Sequence, residues 1–334
     1  MKHDHPAFGS VIPPFLSHGV PGRACGLIVL CALVAIAADQ EPSYNGRLLS
    51  QWLGDMVPGG LSTGHAPYEE AIRAMGTNAI PTLLKWISYE PSPSEQASLT
   101  ERTLPSAVGP DHTLSPAERA VRAHYAFCSL GAAARPAIPE LARMVRTSAD
   151  PKRAERCAYS LAGIGPEAIP SLLSLATNGP PLTRRCAIDA LEPFARDPVA
   201  TLIVPVLIRC LDDTNDPIVG AAQRVLINVN SAVVVPALTN ALQSPSTRIR
   251  LRVVQCAFLL EAFIDPRQPS EAPTMVSALR AAMRDPDYEV RAAATNTLRE
   301  VGGWQLVGEQ WVRRHGTNTL YGITPDFFTN GPPR

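Results

Sequence analysis

The first candidates for metal binding or nucleophilic attack in this chain are its 7 cysteines, its 7 histidines and its serines. Cys25 and Cys31 lie in an apolar N-terminal run, while Cys128, Cys157, Cys186, Cys210 and Cys256 stand singly among apolar neighbours. No C-x-x-C pair or zinc-finger spacing occurs. Single cysteines on apolar stripes read as small buried hydrophobes, and an odd set of five cannot close a complete disulfide framework. The histidines, at 3, 5, 18, 65, 112, 124 and 315, make no H-x-x-x-H or H-E-x-x-H arrangement. Ser160 and Ser171 have no base near them in the sequence, and no G-x-S-x-G is present. Gly163-Ile164-Gly165 runs straight into Pro166 and lacks the third glycine and the lysine of a phosphate loop, so it reads as a helix end. These residues predict no catalytic centre, no metal site, no cofactor and no small-molecule substrate.

The elements that carry them are clearer. Asp150 to Asn178 reads as two short amphipathic helices joined by a tight turn. Asp150 suits an N-cap and Pro151 the first helical position, where no amide donor is needed. Cys157, Leu161 and Ile164 then share one helical face, with Ala158 and Ala162 small enough for a neighbour to approach. Gly165-Pro166 ends the first helix. The second predicts a buried face of Ile169, Leu172, Leu173 and Ala176, with Ser171 outward. Neither helix can bury its stripe alone, so the unit needs neighbours.

Neighbours are present. A proline followed by an apolar pair, or part of one, recurs at Pro81, Pro139, Pro170, Pro205, Pro236 and Pro273, at separations of 58, 31, 35, 31 and 37 residues. Asp-Pro starts recur at Asp150-Pro151, Asp216-Pro217 and Asp285-Pro286. A period in the thirties fits a solenoid of helical hairpins. The unit resembles the HEAT repeat, in the short form shared with the phycobilisome-lyase type. Asp285-Pro-Asp-Tyr-Glu-Val-Arg-Ala-Ala-Ala is similar to that family's first-helix pattern. The resemblance covers roughly residues 66–303. It implies an all-α fold, a right-handed α-α superhelix of about six to seven hairpins in the ARM/HEAT manner. Iron-binding members of such repeats use His-Glu pairs, and no His-Glu dipeptide occurs here. No bilin chemistry is carried over with the repeat shape.

Around this core the chain divides further. Ala24–Ala38 is a 15-residue apolar run, too short for a comfortable membrane span and suited to a signal-peptide core. Residues 1–38 are therefore expected to be a cleaved export signal, with an uncleaved membrane anchor as the alternative. Residues 39–65 read as a capping segment, in which Leu48, Leu49, Trp52, Leu53 and Met56 cover the open end of the first hairpin. Tyr44–Leu53 resembles the segment that opens many exported bacterial HEAT-repeat proteins. Residues 90–115, rich in Pro, Ser and Thr, read as a disordered insertion. Residues 304–334 are expected to form a C-terminal cap, through Trp304, Leu306, Val307, Trp311 and Val312, and an irregular tail.

Formal net charge is +0, and residues 115–300 hold 21 Arg/Lys against 18 Asp/Glu. A nucleic-acid groove would want a denser basic stripe with stacking aromatics, so no nucleic acid is expected. Second helices of such superhelices line the concave side. Their outward positions give a candidate binding face of Glu140, Arg143, Arg146, Arg209, Asn240, Gln243, Arg280 and Arg284. The expectation is an exported, non-enzymatic scaffold for a protein or peptide partner, with membrane attachment only through the N-terminal run. An accessory, lyase-like protein for a cofactor-bearing partner and a HEAT-like nucleic-acid binder are the alternatives.

Overall fold

The computed structural model describes residues 41–56, 66–91, 114–259, 272–301, 304–307 and 310–313. The chain divides into two units, Met1–Glu41 and Pro42–Arg334, and the described residues other than Glu41 belong to the second. The apolar run at 24–38, most of the insertion (92–113) and the tail beyond 313 lie outside the described residues. Among the described residues, no helix is long and apolar enough to cross a membrane.

A short antiparallel pair comes first, β1 (Ser43–Tyr44) and β2 (Arg47–Leu48). Asn45 and Gly46 both take positive φ, 48° and 73°, as a two-residue Asn-Gly turn demands. Helix α1 (Leu49–Gly54) follows. Six helical hairpins then run α2 (Pro67–Met75) with α3 (Ile80–Ile87), α4 (Pro116–Leu130) with α5 (Ile138–Thr147), and α6 (Pro151–Ile164) with α7 (Ile169–Asn178). They continue as α8 (Pro181–Asp189) with α9 (Ala200–Cys210), α10 (Asp216–Asn228) with α11 (Ser231–Ala241), and α12 (Thr247–Leu259) with α13 (Ala272–Ala282). A last first-type helix, α14 (Tyr288–Val301), leads to an antiparallel pair, β3 (Trp304–Val307) and β4 (Gln310–Arg313), whose backbone register pairs Leu306 with Trp311. The sequence named a C-terminal cap here, and its backbone is a β-hairpin with β3 beside α14.

Two layers result. First helices pack in the order α2, α4, α6, α8, α10, α12, α14, and second helices in the order α5, α7, α9, α11, α13. Each second helix also packs on the first helix that follows it. This is an all-α superhelical stack of repeated hairpins. The residue two places after each repeat proline is sealed in the core: Leu83, Leu141, Leu172, Leu207, Leu238 and Met275 all have 0% exposure.

Local chemistry explains the unit. The Asp150 carboxylate accepts from the amides of Lys152 and Arg153 and so caps α6. Ser115 and Glu118 close a capping box on α4. Gly131 and Gly165 end α4 and α6 at φ +51° and +115°, a region that a side chain strains to reach.

Several expectations need correction. Asp216-Pro217 opens α10 as expected, while Asp285-Pro286 stands just ahead of α14, which begins at Tyr288. Asp216 is the first residue of α10 and reaches Arg252 at 3.1 Å. The N-terminus of α14 is held by Asp287, whose carboxylate accepts from the amides of Glu289 and Val290. Pro205 and Pro236 lie inside α9 and α11, because there the helix starts several residues earlier than in the other hairpins. On α7 the buried set is Ile169, Leu172, Leu175 and Ala176, and Leu173 is only half-buried. Ser171 is half-buried too, and Ser174 is the outward serine. In the N-terminal cap Leu49, Leu53 and Met56 are buried as expected, but Leu48 belongs to β2 and is 41% exposed.

The cap is fastened by a buried arginine. Arg122 on α4 is 3% exposed and donates to the carbonyls of Leu53 and Gly54, the latter at 2.9 Å. These carbonyls lie at the C-terminal end of α1, where that of Leu53 also accepts from the Met56 amide at 3.2 Å, and a cation there meets the negative end of the helix dipole. Both roots of the insertion are fixed as well. Leu114 is 4% exposed, Glu90 pairs with Arg153, and Arg156 donates to the carbonyl of Tyr89 at 2.7 Å.

Candidate functional site

Tertiary packing brings together one group of reactive side chains that the sequence keeps apart. His124 on α4 puts its Nδ1 3.3 Å from Ser160 Oγ on α6 and 3.9 Å from Cys128 Sγ. The rings of Tyr125 and Tyr159 flank the imidazole at 4.9 and 6.3 Å between centroids. So Ser160 does have a base beside it, one helix away. The serine hydroxyl is nonetheless sealed. Ser160 has 0% exposure, and its hydroxyl donates to the carbonyl of Arg156 at 2.7 Å. Burial, with the nearby Arg156 charge, holds the His124 imidazole down at about 4, so it is neutral at pH 7. A nucleophile must reach substrate, and this hydroxyl reaches none.

Four of the five cysteines, Cys157, Cys186, Cys210 and Cys256, are buried, and none is in a disulfide. Burial pushes their thiols up to about 12, 11, 11 and 12, which keeps them unreactive. Cys128 departs from the expectation and is exposed at one edge. It marks a close approach of α4 to α6: a methyl group at Gly163 would stand 2.3 Å from its sulfur. Gly163 therefore serves helix packing as well as the helix end. Among the described residues, no cluster of three or more His, Cys, Asp or Glu could hold a metal ion.

The two layers treat their charges differently. On the first-helix side, arginines pair with carboxylates about one hairpin away. Arg184 meets Asp213 at 2.9 Å, Arg185 meets Glu155 at 2.5 Å, Arg224 meets Asp189 at 2.5 Å, and Arg250 meets Asp285 at 2.7 Å. Arg153 and Arg252 are bound in the same way to Glu90 and Asp216. The sequence could not reveal these partners, because each pair spans some thirty residues or more.

The second-helix layer is built in rows. The residue three places after the repeat proline is half-buried: Ala142, Leu173, Ile208, Thr239 and Val276. The residue four places after it is exposed: Arg143, Ser174, Arg209, Asn240 and Ser277. Seven places after it come Arg146, Thr177, Asp212, Gln243 and Arg280, all exposed. Most of the candidate face named from the sequence falls on these two outer rows. Glu140, Arg143 and Arg146 are on α5, Arg209 on α9, Asn240 on α11 and Arg280 on α13, while Gln243 and Arg284 follow α11 and α13 directly. All are exposed except Glu140, which is half-buried. Arg143 donates to Glu140 at 2.8 and 2.6 Å, so these two largely cancel. Among the described residues, no ion pair or side-chain hydrogen bond engages Arg146, Arg209 or Arg284. Stacked equivalent positions sit about 10 Å apart, the spacing of packed helices.

Asn240 and Gln243 also line an open groove of about 440 Å³ between α9 and α11, with Pro205, Ile208, Ala237, Ala241 and Ser244. Its walls are apolar, amide or hydroxyl, with no charged side chain among them.

No family model matches the chain, and no curated protein matches it. Among solved structures it is similar to the CpcE–CpcF complex of phycocyanin lyase from Nostoc sp. PCC7120, at 20% identity and TM-score 0.34, over 48% of this chain and 98% of that one. A designed armadillo repeat protein in complex with the peptide (KR)4 matches at 15% identity and TM-score 0.32, over 66% and 98%. Kap121p bound to RanGTP matches at 14% identity and TM-score 0.37, over 70% and 27%. The fold assignment rests on the chain's own recurring prolines, core leucines and two-layer packing. By those features the chain is an α-solenoid of HEAT-like helical hairpins.

Proposed function

We propose that this chain is a scaffold that binds a polypeptide partner on the outer face of its second-helix layer. The observation that carries this is the difference between the layers. Many first-helix arginines, Arg153, Arg184, Arg185, Arg224, Arg250 and Arg252 among them, are matched by carboxylates within the stack, and Arg122, Arg156 and Arg291 are held by carbonyls, whereas the second-helix layer presents unmatched arginines, amides and half-buried apolar rows. An ordered, repeating surface of that kind suits an extended segment or a helix of another protein. Helices α5, α7, α9, α11 and α13 contain no Phe, Tyr or Trp, so bases would find nothing to stack on. That favours a polypeptide over a nucleic acid.

A photo-crosslinking residue placed at Ser174, on the second-helix face, is expected to capture a protein partner in its native fraction. The same probe at Val121, an exposed position of α4, is the comparison. Equal capture from both positions, or capture from Val121 alone, rejects the reading.

We further propose that the protein acts outside the cytoplasm, on the strength of the apolar run Ala24–Ala38 and the small residues Ala35 and Ala37 at its end. N-terminal sequencing of the native protein is expected to begin near Ala38 or Asp39. An intact Met1 on the soluble cytoplasmic protein would reject export.

A further inference from the structure

Charge across the second-helix layer is one-sided. Helices α5, α7, α9, α11 and α13 together contain a single carboxylate, Glu140, and Arg143 already holds it. The acids at the ends of these helices are engaged by the first-helix layer. Asp212 accepts from Ser246 at 2.6 Å and faces Arg248, Asp213 is held by Arg184, and Asp285 by Arg250. The exposed arginines of this face that no ion pair or side-chain hydrogen bond engages among the described residues are Arg146, Arg209 and Arg284, each two hairpins from the next. At about 10 Å per hairpin the hairpins that carry them stand about 20 Å apart, with Arg209, Arg146 and Arg284 four, seven and eleven places after their repeat prolines. Arg209 is the neighbour of Ile208, which lines the groove between α9 and α11.

Resting on the scaffold reading above, we propose that this face binds an extended acidic peptide segment. An aliphatic side chain of the segment enters the groove of Pro205, Ile208, Ala237 and Ala241, and flanking carboxylates meet Arg209 and its two counterparts. An extended chain rises about 3.3 Å per residue, so carboxylates about six residues apart match arginines two hairpins apart. The amides of Asn240 and Gln243 each offer a donor and an acceptor to the peptide backbone. The groove's lining has no charged group, so an aliphatic residue enters it without stranding a carboxylate.

The test is fluorescence anisotropy with the full chain and a labelled extended peptide carrying glutamates six residues apart around a central leucine. Matched peptides replace the glutamates by glutamine or lysine, or the leucine by glycine, and a labelled single-stranded oligonucleotide of similar length is included. The acidic peptide is expected to bind most tightly and to weaken as salt rises. Arg209→Glu is expected to weaken it about tenfold or more, and to improve binding of the lysine peptide. Ala237→Phe, which fills the groove, is expected to remove the preference for leucine over glycine while leaving the salt dependence. Thermal melts of each variant establish that it is folded, and the gain for the lysine peptide cannot come from an unfolded chain. Equal binding of the glutamate and glutamine peptides overturns the proposal, as does an Arg209→Glu protein that binds like wild type. If the Ser174 probe still captures a protein in that event, the scaffold reading stands and only the acidic ligand falls. Tighter binding of the oligonucleotide than of any peptide overturns both.

Discussion

Arg250 grips Asp285 with two parallel hydrogen bonds, from Nε to Oδ2 at 2.7 Å and from Nη2 to Oδ1 at 2.9 Å. The same arginine donates to the carbonyls of Ser244 and Pro245 at 2.9 and 3.2 Å. One side chain thus ties the turn before α12, the helix itself and the turn before α14. Two hairpins earlier Arg184 repeats the device, binding Asp213 and the carbonyl of Gly179. Asp213 and Asp285 also accept from the amides two residues on, those of Asn215 and Asp287. The fork of arginine suits this paired geometry, and lysine does not.

Arg250→Ala is therefore expected to cost about 3 kcal/mol, because it leaves the Asp285 carboxylate largely buried without its partner. The side chains of the pair are 11% and 7% exposed. Hydrogen bonding from Arg250 holds the Asp285 carboxyl below its ordinary value. Its contribution is present above about pH 4 and is lost as pH falls through the lower folded value. Urea melts from pH 7 down to pH 2 should show less of this acid loss in Asp285→Asn than in wild type.

Arg122→Met keeps the apolar stem and removes the two hydrogen bonds to the end of α1. About 2 kcal/mol of local stability should go, the range for hydrogen bonds to a charged donor. Hydrogen exchange is expected to speed up across 49–56 first, with α8 to α11 unchanged. Uniform acceleration over the whole stack would contradict a local fastening role.

His124 is neutral in the fold, with its pKa brought down to about 4 by burial and by Arg156. The unfolded chain takes up this proton near pH 6.5. Stability from this group is therefore complete above about pH 6.5 and is lost as pH falls towards 4, by at most about 3 kcal/mol. The difference in unfolding free energy between wild type and His124→Gln should narrow or reverse over that window. A constant difference would show that the imidazole is not the group that senses it.

Leu172 has 0% exposure at the middle of α7. Leu172→Ala is expected to cost about 2–5 kcal/mol, and Ser174→Ala under about 0.5 kcal/mol. In a stack where each hairpin contacts mainly its neighbours, proteolysis of the leucine variant should begin in α4 to α9. Comparable urea midpoints for the two variants would contradict this register.

Thiol labelling should rank the cysteines. Cys128 is the exposed one, and its surroundings push the thiol up to about 11. It should react first, slowly at pH 7 and faster as pH rises. Cys157, Cys186, Cys210 and Cys256 should wait for unfolding. Native labelling of Cys157 ahead of Cys128 would contradict the packing of α6.

Sequence alone determined the helical hairpins, their number and the leucine row of the core. Those features are local: an apolar stripe recurs every three or four residues, and Gly or Pro marks the turns. Leu172 was legible because its own helix dictates which way it faces. Leu173 and Ser171 were misplaced by the same reasoning, since a second helix is wrapped on more than one side and only its neighbours set the edge of the buried face. The sequence also held an Asn45-Gly46 turn signal for the first β-hairpin, which the helical pattern of the following leucines obscured. Tertiary structure alone decided the rest. Ser160 met His124 across 36 residues, Arg122 reached α1 across 68, and Arg250 found Asp285 across 35. Helical periodicity fixes which face a residue lies on, but stacking fixes which residue of another hairpin comes within hydrogen-bond reach. The outward arginines Arg146, Arg209 and Arg284 were readable as exposed from their spacing. That they remain unmatched, while most first-helix arginines are held by carboxylates or backbone carbonyls, is a property of the stack.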